Sequence, residues 1–215
     1  MNQYACIDFF AILCYNGNVM RYVSQKRIED AKKALNRGDV LAVPTENFYG
    51  LTVKLDNTAA IRKLLDIKNR QIDSAKILTL LVADVDDIKK YASIDRKTLN
   101  MARHYFPGEL TLILPKHRTL KHPYFDHFET VGVRIPEHKY LLELIRTTGP
   151  LLAIGATPHG EAPCRSGKHV AEVFPKVDSI VEGESDGNIP PTVIDWTESE
   201  PMPIRQGGLL IVRYA

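Results

Sequence analysis

Three short stretches of this sequence carry side chains that could bind a ligand. The first is Lys68-Asn69-Arg70, where the lysine supplies a point charge and the arginine a bidentate fork that fits phosphate oxygens. A simpler interpretation is also open, because the stretch follows an apolar segment of helical period and cations are stabilised by the dipole at a helix end. The pattern alone does not decide between a phosphate clamp and a solvated helix terminus.

The second stretch, Thr130–Ile135, has the two-residue period of a β-strand. Its branched apolar residues fall on one face, whereas Thr130, Gly132 and Arg134 fall on the other. A glycine between a hydroxyl and a guanidinium leaves open floor on which a ligand can lie. The alternative is an arginine on the solvated face of an edge strand.

The third stretch is an apolar strand that stops at Pro44 and then presents Thr45, Glu46 and Asn47. Polar residues at the end of a buried strand are where open α/β sheets hold their ligands. The plainer interpretation is a connection between two strands, in which the Thr and Asn side chains satisfy backbone groups.

Familiar nucleotide and metal motifs are missing from the sequence. It contains no GxxxxGK followed by Ser or Thr, no GxGxxG, no HExxH and no GxSxG. Most of its seven histidines lie between residues 104 and 138 without metal-ligand spacing, so we predict no metal-ligating residues. Any phosphate chemistry must therefore use the stretches above, together with two weaker ones at Pro191–Trp196 and Ile204–Gly208.

Alternating strands and helices must position these groups. Helical periodicity predicts helices at Ile28–Leu35 with Gly38 as the cap, at Ile61–Lys68 with a cap at Asp56, Asn57 or Thr58, and at Asp84–Tyr91, Asp95–Tyr105, Lys139–Arg146 and Lys168–Phe174. Apolar runs predict strands at Val40–Val43, Leu51–Leu55, Ile77–Val82, Leu110–Leu114, Val131–Ile135, Leu151–Ile154, Ile180–Val181, Val193–Asp195 and Leu209–Val212. We expect one α/β domain over residues 20–215 with a mixed sheet, and an N-terminal extension over residues 1–19 that is an edge strand or disordered.

Composition sets the broad class of protein. With 215 residues, 44% hydrophobic and 25% charged, the chain has the balance of a globular domain and not of a disordered or coiled-coil protein. Its net charge of +2 neither requires nor excludes a nucleic-acid partner. Three scattered cysteines fit a reducing compartment, so we expect a cytoplasmic protein, and the N-terminal residues lack the pattern of a signal or membrane span.

Taken in order, the motifs resemble those of the YrdC/YciO family of threonylcarbamoyl-AMP synthases over roughly Ile28–Leu210. The matching strings are VPTENFYGL (family-like PTETVYGL), KNR (KGR), YFPGELTLIL (FPGPVTLIL), TVGVRIPEH, GPLLAIGATPHGEAPCR, PTVID and IRQGG (RPG). The resemblance implies a single-domain YrdC-like fold, a twisted mixed sheet flanked by helices with a concave cationic cleft.

The resemblance also implies an activity. Family members join L-threonine, bicarbonate and ATP into threonylcarbamoyl-AMP and release pyrophosphate, which makes them nucleotidyltransferases that need Mg²⁺. Their product feeds the threonylcarbamoyladenosine modification of tRNA, so tRNA or double-stranded RNA and downstream tRNA-modification proteins are the implied partners, with no membrane. The alternatives are a non-catalytic RNA-binding module and a YciO-type paralogue with a different substrate. A hydrogenase-maturation enzyme is disfavoured, because the chain lacks the cysteines and extra domains of those proteins.

The resemblance assigns roles residue by residue. The catalytic pair is Lys68 and Arg70, and Arg134 grips the amino-acid carboxylate. ATP is bound by Lys68, Arg70, Ser74, Thr130, Thr157, Arg165 and Arg205. Threonine is bound by Thr45, Asn47, Thr79, Arg134, Gly155 and Thr192.

The chain departs from the family pattern at four positions. Asn47 replaces a threonine, Thr79 a histidine, Gly155 a serine and Pro191 a serine. By resemblance these positions surround the amino acid, whereas the cationic residues assigned to ATP are mostly retained. We therefore expect that threonine is used more slowly or less selectively than in relatives with the full motif.

Overall fold

The computed structural model describes residues 11–15, 18–70, 78–198 and 200–210 of the chain. The strands of this part form a single sheet with eleven members. They are β1 Ala11–Tyr15, β2 Asn18–Val23, β3 Leu41–Val43, β4 Gly50–Lys54, β5 Thr79–Leu81, β6 Leu110–Pro115, β7 Thr130–Arg134, β8 Leu151–Gly155, β9 Ser179–Val181, β10 Thr192–Asp195 and β11 Met202–Arg205.

The sheet is mixed, as the alternation of elements predicts. Its strand order is β1-β2-β9-β3-β4-β8-β5-β7-β6-β10-β11. The pairs β2–β9, β9–β3, β5–β7 and β6–β10 are parallel, and the other neighbours are antiparallel. The predicted α/β class and mixed sheet are therefore confirmed.

In the described part of the chain, five α-helices accompany this sheet, and their ends follow ordinary capping chemistry. They are α1 Ile28–Arg37, α2 Thr58–Ile67, α3 Arg96–Tyr105, α4 Lys139–Thr148 and α5 Gly167–Val173. The side chain of Asn57 accepts a hydrogen bond from the Ala60 N–H at 3.0 Å, which caps α2. Gly38 ends α1 in the left-handed region at φ 86°, where only a residue without Cβ is unstrained. Both predicted caps are present.

The two faces of the sheet carry separate apolar clusters. Along β3, Ala42 packs into a cluster with residues of α2, α3 and α5, whereas Leu41 and Val43 pack into a second cluster with residues of α1 and α4. Because β3 is buried on both faces, its sequence is a continuous apolar run and does not alternate.

Two predicted elements differ from the structure. The segment predicted as a helix at Asp84–Tyr91 is a 3₁₀ helix at Val85–Lys90, where Asp84 caps the Asp86 N–H. In the strand predicted at Leu209–Val212, the first two residues are not in a strand and the others lie outside the described residues. The last described strand is β11 instead, and it is exposed along its length, so it lacks the apolar signal of a core strand.

Candidate functional site

A large cleft lies over one face of the sheet between β4 and β11. Alternate residues of β5, β6, β7 and β10 line it, among them Thr79, Thr111, Gly132 and Asp195, and its volume is about 1490 Å³. The residues between them, such as Leu80, Leu112, Val133 and Ile194, belong to the apolar cluster on the opposite face. The strand period therefore separates a buried core face from a ligand-sized open face.

The floor of the cleft follows the prediction made for β7. Thr130, Gly132 and Arg134 all line the cleft, while Val131 and Val133 are fully buried on the other side. A Cβ built on Gly132 would lie 3.7 Å from the Thr111 methyl group, an ordinary contact, so the glycine leaves unfilled space.

The Lys68-Asn69-Arg70 turn follows the end of α2 and enters the cleft. Asn69 has φ 49°, a left-handed conformation that only Gly, Asn and Asp adopt readily, and this matches the glycine in the family-like string. The N–H of Arg70 bonds to the Leu65 carbonyl at 2.9 Å, which closes the helix end. All three residues of the turn line the cleft.

Main-chain carbonyls hold the Lys68 ammonium group. Its Nζ donates to the carbonyls of Gly155 at 3.1 Å and Thr157 at 2.6 Å, and it lies 4.8 Å from the centre of the Phe174 ring. Burial, followed by the nearby charge of Arg70, lowers the pKa of Lys68 to about 8. The ammonium group of Lys68 thus contacts neutral groups, and its charge changes with pH just above neutrality.

Side chains, in contrast, hold Arg134. Its Nη2 donates to Glu46 Oε1 at 2.7 Å and to Asn47 Oδ1, and the Arg134 and Glu46 side chains are only 11% and 14% exposed. Glu46 Oε1 also accepts the Glu137 N–H at 3.0 Å, beside the start of α4. Two buried atoms, Glu46 Oε2 and Arg134 Nε, have no hydrogen-bond partner in the described part of the chain. Unsatisfied buried groups are rare in native proteins, and these two mark the Arg134–Glu46 pair as an unusual feature of the cleft.

Arg205 lies close enough to Arg134 for the two charges to interact. Burial lowers the pKa of Arg205, and the charge of Arg134 lowers it further. The Arg205 Nε donates to the Pro191 carbonyl at 2.9 Å. The cleft thus contains two pairs of neighbouring cations, Lys68 with Arg70 and Arg134 with Arg205, and repulsion within each pair favours an anion between them.

Two residues assigned to the site by resemblance do not line the cleft. The Thr192 hydroxyl is buried, where it donates to the Leu209 carbonyl at 2.8 Å and accepts the Gly207 N–H at 3.0 Å. Arg165 Nη2 contacts the Asp186 and Gly187 carbonyls and the Asn188 side chain, and so holds the loop that leads to β10. Ser74 lies outside the described residues.

The structure does bring all of the other assigned residues to the cleft. Those that line it are Thr45, Asn47, Lys68, Arg70, Thr79, Thr130, Arg134, Gly155, Thr157 and Arg205. They come from widely separated parts of the sequence, which only the sheet order places together. Pro191, the fourth departure from the family pattern, lines it as well.

Sequence reasoning missed the carboxylates around the site. It did not pair Glu46 with Arg134, and it gave no role to Glu109 or to Asp195, which lines the cleft. A signal for Glu109 was present, since the chain reads FPGELT where the family-like string reads FPGPVT. A charged residue in place of a proline at a strand start indicates a specific partner.

The comparison with protein families decides the chain's affiliation. The Sua5/YciO/YrdC family, described as "Telomere recombination", matches residues 33–207. The chain belongs to this family. The resemblance read from the motifs is therefore confirmed, and the match includes every element that lines the cleft.

Individual proteins that are similar to this chain support the same family assignment. It is 32% identical over 196 residues to a threonylcarbamoyl-AMP synthase of Pyrococcus abyssi, covering 89% of this chain and 57% of that protein. The structure of P. abyssi Sua5 complexed with L-threonine superposes with a TM-score of 0.78 and 31% identity, over 87% of this chain and 57% of that one. The chain thus spans about half the length of these relatives.

A shorter relative of the family shows the same fold. The structure of Escherichia coli YciO superposes with a TM-score of 0.78 at 24% identity and covers 87% of this chain and 94% of that one. Among the described residues, no helix is long and apolar enough to span a membrane, and no group of three or more His, Cys, Asp or Glu is placed to hold a metal ion.

Proposed function

We propose that this chain is an ATP-dependent nucleotidyltransferase that forms threonylcarbamoyl-AMP from L-threonine, bicarbonate and ATP, with release of pyrophosphate, for tRNA threonylcarbamoyladenosine synthesis. The observation that carries the proposal is the cleft itself, which Lys68, Arg70, Arg134 and Arg205 line together. Its volume suits a nucleotide with an amino acid beside it. The names of the P. abyssi relatives supply the substrate class.

The chemistry asks for alignment of charged groups more than for proton transfer. The threonine amine and bicarbonate combine to a carbamate with loss of water, and a carbamate oxygen then attacks the α-phosphorus of ATP as pyrophosphate leaves. The charge on the phosphoryl oxygens is stabilised by fixed cations in a site shielded from water. In this proposal, Lys68 and Arg70 bind the phosphates and Arg134 binds the amino-acid carboxylate, through charge-assisted hydrogen bonds.

Magnesium belongs to this proposal as the companion of ATP. Mg²⁺ is usually held by phosphate oxygens with one or two protein carboxylates, and Glu161 and Asp195 both line the cleft. Either carboxylate is of the type that would hold an ion arriving with the nucleotide. When bound, the ion would neutralise part of the negative charge of the triphosphate.

The test is formation of the adenylate itself. Purified protein is incubated with Mg-ATP, labelled bicarbonate and each amino acid in turn, and the adduct and pyrophosphate are quantified by mass spectrometry and an enzymatic assay. We expect no labelled AMP adduct without bicarbonate or without an amino acid, and the highest yield with threonine. ATP binding without an adduct from any amino acid would instead indicate a paralogue with a different substrate.

The RNA-binding alternative makes a different prediction. A net charge of +2 leaves few cations to neutralise RNA phosphates, so we expect weak RNA binding that falls steeply with salt. A filter-binding titration over a salt series measures this. Tight binding that persists at high salt, with no ATP turnover, would favour a non-catalytic module.

A further inference from the structure

Asn47 has a side chain whose hydrogen-bond donors are both used. Its Nδ2 donates to Glu109 Oε1 at 2.8 Å and to the Ile189 carbonyl at 3.0 Å, and its Oδ1 accepts from Arg134. The residue is 1% exposed, although it lines the cleft. A side-chain amide has only two N–H donors, so Asn47 has none left for a substrate hydroxyl or carboxylate.

The surroundings of Asn47 permit one orientation of its amide. The oxygen faces a guanidinium, which can only donate, and the nitrogen faces a carboxylate and a carbonyl, which can only accept. Rotating the amide by 180° would place donor against donor and acceptor against acceptor. The three partners therefore fix the atom that Asn47 presents to Arg134.

Glu109 contributes to this arrangement from outside the cleft. It is absent from the residues that line the cleft, yet its carboxylate holds the Asn47 amide and its backbone carbonyl accepts the Thr192 N–H at 2.9 Å. Glu109 is 62 residues from Asn47 in sequence, so the contact joins the start of β6 to the segment after β3.

The backbone around Asn47 packs closely against a neighbouring loop. A Cβ built on Gly187 would lie 2.4 Å from the Asn47 Cα and 2.6 Å from its carbonyl oxygen. The loop that carries Ile189 therefore rests directly on the main chain of Asn47. This packing restrains the main chain of Asn47, and the Asn47 side chain, together with Glu46, holds the Arg134 guanidinium.

We propose that Glu109 is a positioning residue, which orients Arg134 through Asn47 and thereby determines how the site recognises the carboxylate of its amino-acid substrate. The inference rests on the proposed function for the identity of that substrate. The orientation of Arg134 itself depends only on the contacts described above. Glu109 and Asn47 act as one unit, so removing either has the consequence of removing both.

The test compares Glu109→Ala, Glu109→Gln, Asn47→Ala and the Glu109→Ala/Asn47→Ala double variant, with Glu172→Ala on the exposed face of α5 as the control. We expect Glu109→Ala to raise the KM for threonine about tenfold while the KM for ATP stays within about twofold, as for loss of one buried hydrogen bond. Glu109→Gln keeps an acceptor for the Asn47 amide and should retain most of the affinity for threonine. The double variant should be no worse than Asn47→Ala, because the two residues are coupled.

A second measurement separates this inference from the proposed function. The side-chain ¹H–¹⁵N signal of Arg134 Nε, assigned with Arg134→Lys, reports the orientation of the guanidinium without any turnover. We expect the signal to shift or broaden in Glu109→Ala and to be retained in Glu109→Gln and Glu172→Ala. An unchanged signal in Glu109→Ala, additive effects in the double variant, or equal rises in both KM values would overturn the inference. If the wild-type protein forms no adenylate, the proposed function fails, and the signal still decides the role of Glu109.

Discussion

The two cations at the heart of the cleft are held in opposite ways. Lys68 is held by the backbone carbonyls of Gly155 and Thr157, whereas Arg134 is held by the side chains of Glu46 and Asn47. Backbone carbonyls are present whatever residues occupy those positions, but side-chain partners change with each substitution. The region around Lys68 is therefore insensitive to sequence, and the region around Arg134 is where sequence can change the site.

The two arrangements also differ in charge. Lys68 contacts neutral oxygens, so its positive charge is not cancelled by these partners and remains for an anionic ligand. Arg134 forms a buried ion pair with Glu46, and an incoming carboxylate must compete with that partner. Departures from the family pattern fall in both regions, Gly155 beside Lys68 and Asn47 beside Arg134, but only at Asn47 does the changed side chain itself hold the cation.

The largest expected effect is on the free energy of unfolding. Its absence would contradict the difference described between Lys68 and Arg134. Arg134→Ala leaves the Glu46 carboxylate buried without its cation, so we expect the free energy of unfolding to fall by about 3 kcal/mol. Lys68→Met should lower the free energy of unfolding only slightly. The folded state lowers the pKa of Lys68 and so already disfavours its charge. Urea unfolding followed by the fluorescence of Trp196 measures both.

The control for that experiment is Arg103→Ala, which removes an ion pair with Asp86 at the surface. Such pairs usually contribute nothing measurable, and we expect no change. A second variant, Glu46→Gln/Arg134→Ala, removes the stranded charge and should recover part of the loss. Equal losses for Arg134→Ala and Arg103→Ala would contradict the buried pair.

The next effect concerns ATP. Each charge-assisted phosphate contact contributes about 1.5–3 kcal/mol, so Arg70→Ala and Arg205→Ala should each weaken Mg-ATP binding roughly ten- to a hundredfold. Calorimetry measures the affinities, with Arg118→Ala in the exposed loop before β7 as the control. If neither variant differs from wild type, the cations do not form a phosphate clamp.

A smaller effect is expected in the choice of amino acid. Asn47 has no free donor and Gly155 has no hydroxyl, so the site lacks two of the groups that could pair with the threonine hydroxyl. We expect serine to compete with threonine, with a preference of about tenfold or less, the effect of roughly one methyl group. Adduct yields for threonine, serine, valine and glycine, measured together, test this. Exclusive use of threonine would show that Thr79 or other residues compensate.

The smallest effect is on pH dependence. Since the pKa of Lys68 is lowered to about 8, its charge is present at pH 7 and is progressively lost above pH 8. At a pKa of about 8, the protonated fraction of Lys68 is about fourfold smaller at pH 8.5 than at pH 7, so the affinity for ATP should fall by about that factor. Lys68→Arg keeps its charge over this range, and its affinity should change less. Equal pH profiles for the two proteins would mean that Lys68 does not contact the nucleotide.

Sequence periodicity predicts those features of the fold that depend on residues close together in the sequence. The alternation in β7 placed Thr130, Gly132 and Arg134 on one face because strand geometry depends only on residues two positions apart. The Asn57 and Gly38 caps were predictable for the same reason, since a cap acts within one helical turn.

Contacts across the fold were beyond such reasoning. The bond from Lys68 to Gly155 spans 87 residues, and the bond from Asn47 to Glu109 spans 62. Each bond depends on the strand order, which places β8 between β4 and β5 and β6 next to β10. The contacts of Arg165 were hidden by the same limitation, because its neighbours in sequence gave no sign that its partners lie in the loop at 186–188.

The contacts of Lys68 also affect the entropy of binding. A free lysine side chain has about 2 kcal/mol of rotamer entropy, which a ligand must remove when it orders the side chain. Here two carbonyls and the Phe174 ring already restrict the side chain. That entropy is lost during folding, so an arriving nucleotide meets a charge that is already in place, and the affinity it gains from the contact is correspondingly greater.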